Sequence, residues 1–119
     1  MDFKLSEDQQ MLKDMVRKIS LNEFAPKAKN IDEKEEFPWD NKKILEENGL
    51  LGIQIPEEYG GAGAGMLSLA IVVEEVARVC ASTSVILTTQ ALATDPLLIG
   101  GTHEQKIEWL KLKHNKATI

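Results

Sequence analysis

Between Ala81 and Thr94 the chain carries no charged residue. The stretch "STSVILTTQALA", Ser82 to Ala93, reads as a helix despite its β-branched residues, with Ser82 or Thr83 as its cap. A helix without charge on any side gains by leaving water, so this segment is expected inside the domain. The segment before it, "MLSLAIVVEEVARVCA", is also helical and nearly apolar all round. These two helices constrain the fold more than any other feature, because the rest of the chain has to supply their cover.

The rest reads as further helices. "SEDQ", Ser6 to Gln9, is a capping box, in which the serine hydroxyl and the glutamine side chain satisfy each other's backbone N–H. Apolar residues then recur at Met11, Leu12, Met15, Val16, Ile19 and Phe24, in steps of three and four that put them on one stripe. Pro26 is expected to open a new turn of helix. "PWDNKKILEENG" has Pro38 in a first-turn position and Gly49 just past the end. "LLGIQIP" is too short and apolar to assign by period, and reads as extended and buried. "TDPLLIGG" reads as a separate short helix capped by Thr94, and "THEQKIEWLKLK" opens on a second capping box, Thr102 with Gln105. The expected fold class is all-α, a roughly six-helix orthogonal or antiparallel bundle in a single domain over residues 1–119.

Charge and cysteine usage exclude several functions. A net charge of -5 argues against nucleic acid, which needs a basic face, although "KLKHNK" near the end is locally basic. Glu74, Glu75, Arg78 and Asp95 interrupt the most apolar region, so no membrane span is expected. Cys80 is the single cysteine, which rules out an internal disulfide and fits a reducing, cytoplasmic compartment, or the mitochondrial matrix for a processed eukaryotic protein. "MDFKLSEDQQ" has neither the basic nor the apolar region of a secretory signal.

No self-contained active site is legible. The glycines at 60, 61, 63 and 65 miss the dinucleotide fingerprint, since the third glycine position falls on Met66 or Ser68. A P-loop needs a lysine, and none lies between Lys43 and Lys106. The loop is expected to be a structural turn. Glu74 and Glu75 point about 100° apart on a helix, and Glu74 is spaced to pair with Arg78. His103 and His114 are too distant to ligate one metal, and Cys80 is expected to be a small buried hydrophobe. Ser84, Thr88 and Thr89 have two readings: hydroxyls bonded back to the helix carbonyls, or the lining of an apolar pocket.

The order and spacing of "PEEYGG", "EEVAR" and "GTHEQK", with the opening "MDFKLSEDQQML", resemble the amino-terminal helical domain of acyl-CoA dehydrogenases over about Met1 to Leu112. That resemblance implies an FAD-dependent oxidoreductase that desaturates an acyl-CoA between its α and β carbons. The full-length family members have an all-α first domain, a β-barrel and a carboxy-terminal helical bundle. Their FAD lies between the last two parts, where a glutamate removes the α-proton. Their electron acceptor is an electron-transferring flavoprotein, and they are commonly tetramers. The barrel and the catalytic region are expected to be absent from this sequence, so the chain alone is expected to hold no FAD and to be inactive. Aligned on Pro96 and "GGTHEQK", the resemblance places the acyl-pocket wall at Ser84, Val85, Thr88, Thr89 and Leu92, with no catalytic, cofactor-binding or metal residue in the chain. The residues by themselves leave open a non-catalytic helical module that binds a partner or forms a homo-oligomer.

Overall fold

The computed structural model describes the backbone of residues 2–116 and the side chains of residues 2–111. Its elements, in order, are α1 (Glu7–Ile19), a π-helical turn (Ser20–Phe24), α2 (Ala25–Lys34), α3 (Trp39–Glu47), 3-10 turns at Leu50–Gly52 and Glu57–Tyr59, α4 (Gly65–Ala77), α5 (Ala81–Gly100) and α6 (His103–Lys116). No strand occurs among the described residues.

Both capping boxes form. At α1 the backbone N–H of Gln9 donates to the Ser6 hydroxyl at 3.2 Å, and Ser6 N–H donates to the Gln9 side chain at 2.9 Å. Thr102 and Gln105 repeat the exchange at α6. Gly49 takes φ +69° just past α3, as expected of a helix-stop glycine.

The two prolines do not divide helices as expected. A proline inside a helix has no N–H to donate, and its ring crowds the carbonyl four residues back. At Pro26 the chain answers by widening one turn, with the Ala25 N–H reaching five residues back to the Ser20 carbonyl. α1 and α2 therefore join into one rod through the π-turn. Pro96 lies inside α5, which absorbs the short helix expected at "TDPLLIGG". Thr94 does not cap a new helix. Its hydroxyl donates back to the Gln90 carbonyl at 2.9 Å and accepts from Gln54 Nε2 at 3.2 Å. The backbone traces five rods where about six separate helices were expected.

α1 packs on α4 and α4 packs on α5. The core joins Val16, Phe24, Leu45, Leu50, Val72, Val76, Ile86 and Leu87, each contributing about 1.5–3 kcal/mol by leaving water. Val16 and Phe24 are fully buried members of the predicted stripe, whereas Met11 and Met15 lie exposed on its edge. A smaller cluster of Ile55, Tyr59 and Leu110 seats α6.

"LLGIQIP" is buried as expected, but it coils through a 3-10 turn and does not extend. Its carbonyls are satisfied by the glycine loop. Ala62 N–H donates to Gly52, Ala64 N–H to Ile53 and Gly63 N–H to Ile55, at 2.8–3.0 Å. At Gly61 the two backbones approach so closely that an added methyl would overlap the Ile55 carbonyl. Replacing Gly61 with Ala should destabilise the fold by about 1–3 kcal/mol in urea denaturation. A change inside about 0.5 kcal/mol, the usual surface effect, would contradict this account.

α1 and α4 are also joined by an ion cluster. Glu75, with its side chain only 2 % exposed, accepts from Arg17 Nε and Nη2, both at 3.0 Å. Arg78 Nη1 lies 3.5 Å away and Lys13 Nζ 4.0 Å. Arg78 thus pairs with Glu75 and not with Glu74, because Glu75 lies on the packed side of α4 and Glu74 does not. The hydrogen bonds from Arg17 hold the Glu75 carboxyl below the ordinary glutamate range. Burial opposes them, and the charges of Arg17, Arg78 and Lys13 add to the lowering. A lowered folded-state pKa stabilises above the unfolded value and is lost as pH falls through the folded one. Glu75→Gln should cost about 1–3 kcal/mol near neutral pH and flatten the acid loss of stability below about pH 4.3. Parallel stability–pH curves for parent and variant would refute the assignment.

Candidate functional site

α5 has one buried side and one open side. Thr83, Ser84, Ile86, Leu87, Gln90, Ala91 and Thr94 face the core. Val85 is 56 % exposed and Leu92 75 %, and Thr88 and Ile99 continue the same outer stripe. The sequence expectation that this helix sits wholly inside the domain is therefore corrected. Lack of charge shows that a surface is poorly suited to water, not that this chain covers it. Beyond Thr94, Asp95 is the helix's one charged residue.

The five residues expected at an acyl pocket divide accordingly. Val85, Thr88 and Leu92 lie on the open side, with Thr89 at its margin. Ser84 turns inward, and its hydroxyl donates to the Ala81 carbonyl at 2.7 Å. Thr88 Oγ1 likewise donates to the Val85 carbonyl at 3.1 Å. Both hydroxyls bond back three residues and not four. They are satisfied within the helix, so the open side meets its surroundings mainly as hydrocarbon.

Val85 and Thr89 border a cleft of about 540 Å³ between α5 and the α2–α3 turn. Its other wall is Ile31, Phe37 and Pro38, and Asp32, Glu35 and Glu36 line it as well. Sequence reasoning missed this wall, because periodicity within α5 says nothing about which turn packs beside it. Phe37 stacks at a tilt on Trp39, ring centroids 4.5 Å apart. Glu35 ends α2 with φ +53°, the one non-glycine residue with positive φ among those described.

Behind α5 a polar network ties it to α3. Asn41 Nδ2 donates to Thr83 Oγ1 at 2.9 Å, and Cys80 Sγ shares a hydrogen bond with the same oxygen at 3.0 Å. Cys80 is buried, as its small-hydrophobe reading expects. His103 Nδ1 shares a 3.1 Å hydrogen bond with the Tyr59 hydroxyl. Burial first, and then Glu58, raise the Tyr59 phenol above its ordinary value. The side chain of His114, and those of "KLKHNK" after Lys111, lie outside the described residues. Among the described residues no three His, Cys, Asp or Glu side chains gather as a metal site, and no helix is long and apolar enough to cross a membrane.

A helical domain with a buried ion cluster, a knitted glycine loop and an uncharged open helix side is a definite class of module. Residues 6–112 match the family described as acyl-CoA dehydrogenase, N-terminal domain, and the chain belongs to that family. It is 43 % identical over 111 residues to the short-chain specific acyl-CoA dehydrogenase of Clostridium acetobutylicum, covering 92 % of this chain and 29 % of that protein. It is similar to the solved structure of butyryl-CoA dehydrogenase from Megasphaera elsdenii, with TM-score 0.87 and 27 % identity, over 100 % of this chain and 32 % of that one. A chain in a solved structure described as the electron transferring flavoprotein of Acidaminococcus fermentans gives TM-score 0.89 at 36 % identity, over 97 % of this chain and 30 % of that one. The chain thus spans less than a third of the length of these relatives.

An open apolar stripe promotes self-association. Leu92→Lys should reduce concentration-dependent association of this chain in light scattering and leave its unfolding midpoint within about 0.5 kcal/mol of the parent. Equal association of parent and variant would show that the stripe is not the sticky surface.

Proposed function

We propose that this chain forms the helical wall of the acyl pocket in an FAD-dependent acyl-CoA dehydrogenase. The observation that carries the reading is the uncharged outer side of α5, with Val85 and Thr89 on a 540 Å³ cleft, in a chain that belongs to the family. A cleft of this size suits a small ligand, and its hydrocarbon lining suits an acyl tail.

On this reading the domain contributes shape and water exclusion. Val85, Thr88 and Leu92 remove an acyl chain from water, and Thr89 limits its length. The proton abstraction and the flavin belong to other parts of the enzyme, together with delivery of electrons to an electron-transferring flavoprotein. The glycine loop does not fit the flavin's phosphates. The N–H groups of the glycine loop at 61, 62, 63 and 64 already donate to carbonyls of residues 52–56, so none of them is left to form a phosphate cradle.

The test places residues 6–112 in the C. acetobutylicum enzyme in place of its matching segment. Flavin bleaching and kcat/KM are then measured across a series of acyl-CoA lengths. Thr89→Phe should lower kcat/KM for the longer acyl groups by about ten-fold or more relative to the shortest, a penalty of about 1.4 kcal/mol. An unchanged length profile would remove α5 from the pocket.

A further inference from the structure

A second cleft, of about 420 Å³, opens where the last turns of α5 meet the Glu57–Tyr59 turn, the start of α4 and α6. It shares no lining residue with the cleft at Val85 and Thr89. Gln54 lines it and is only 8 % exposed, and the side-chain oxygen Oε1 of Gln54 is buried without a hydrogen-bond partner. The neighbouring hydroxyl fixes which end of this amide is left over. Thr94 has one hydroxyl proton and donates it to the Gln90 carbonyl at 2.9 Å, so towards Gln54 it can only accept. Gln54 Nε2 therefore donates to Thr94 at 3.2 Å, and the orphaned atom is an acceptor. A buried acceptor without a donor costs free energy that an entering N–H group recovers.

The rest of the cleft selects the donor. Asp95 follows Thr94 in α5 and lines the cleft half-buried, and Glu58 lines it exposed. Neither carboxylate forms an ion pair with a described residue. Lys106 is the one cation among the lining residues, so the site is net negative. A neutral donor would answer Gln54 alone, whereas a cation with several N–H groups answers Gln54 and Asp95 together. A guanidinium carries five such donors in a planar fork and gives up its water more readily than an ammonium. Pro56 and Leu98 offer hydrocarbon for the stem that bears it. At the same cleft Met66 is 58 % exposed and Ile99 87 %, an apolar surface wider than one side chain covers. The occupant that matches carries hydrocarbon on either side of its cation, as a polypeptide does.

We propose that this cleft docks an arginine side chain carried by a polypeptide segment with apolar neighbours, the guanidinium donating to Gln54 Oε1 and Asp95. The two clefts have no residue in common, so the proposal stands or falls separately from the acyl-pocket reading.

The experiment titrates the 119-residue chain with the blocked peptide acetyl-Leu-Arg-Leu-amide, followed by NMR. Its controls replace arginine with citrulline, which keeps the shape and loses the charge, or with glutamate. The arginine peptide should bind saturably and move the side-chain amide signals of Gln54. Citrulline should weaken binding about ten-fold or more, the usual difference between a charged and a neutral hydrogen-bond donor. D95N, at a half-buried surface position, should weaken the arginine peptide by a similar factor. K106Q should strengthen it by about two-fold or more, because it removes a like charge. Free butylguanidinium should bind about ten-fold or more weakly than the peptide, since it leaves Met66 and Ile99 uncovered. Absence of saturable binding, Gln54 signals that stay in place, or equal affinity for the glutamate peptide would overturn the proposal. So would affinity unmoved in D95N or lowered in K106Q. Equal affinity for butylguanidinium and the peptide would overturn the polypeptide as occupant.

Discussion

A helix of twenty residues with a single charge can satisfy the hydrophobic effect on only one side when a small helical domain covers it. α5 imposes that limit on everything around it. α4 packs along its inner side, and α3 reaches it through Asn41 and Thr83. The outer side then has to be covered by something else or remain an apolar surface in water. The fold packs one side of this helix and leaves the other open.

Rigidity comes from devices that differ in kind. The Glu75 cluster places one buried carboxylate among the cations of α1 and α4. Such a cluster fixes the pairing of two helices more than it adds net stability, since desolvation opposes the attraction. The glycine loop works through contact distance. Its backbone lies against the Ile55 carbonyl where no side chain fits, and its N–H groups satisfy a buried segment that has no strand partner. The π-turn before Pro26 keeps α1 and α2 in one rod where proline would break it, and α5 runs on through Pro96.

The division of labour follows from these devices. The domain offers hydrocarbon and a bordering negative charge, and no three His, Cys, Asp or Glu side chains gather as a metal site among its described residues. On the acyl-pocket reading proposed above, such a wall acts by positioning and not by bond making.

Local rules were legible in the residues themselves. The capping boxes at Ser6 and Thr102, the stop at Gly49, the buried Val16 and Phe24 and the structural character of the glycine loop follow from short-range hydrogen bonding and helical period. The motif order "PEEYGG", "EEVAR" and "GTHEQK" pointed to the right family. Tertiary packing decided the remainder. It chose Glu75 over Glu74 as the buried partner of Arg78, because burial depends on the helix across the interface. It carried the chain through Pro26, where the π-turn widens the helix, and through Pro96, which α5 accommodates in its interior. It set the α2–α3 turn opposite Val85 and Thr89, and turned Ser84 away from them. Sequence determines what each side of a helix tolerates, but which surface it meets depends on contacts between residues far apart in the chain, and no local period encodes those.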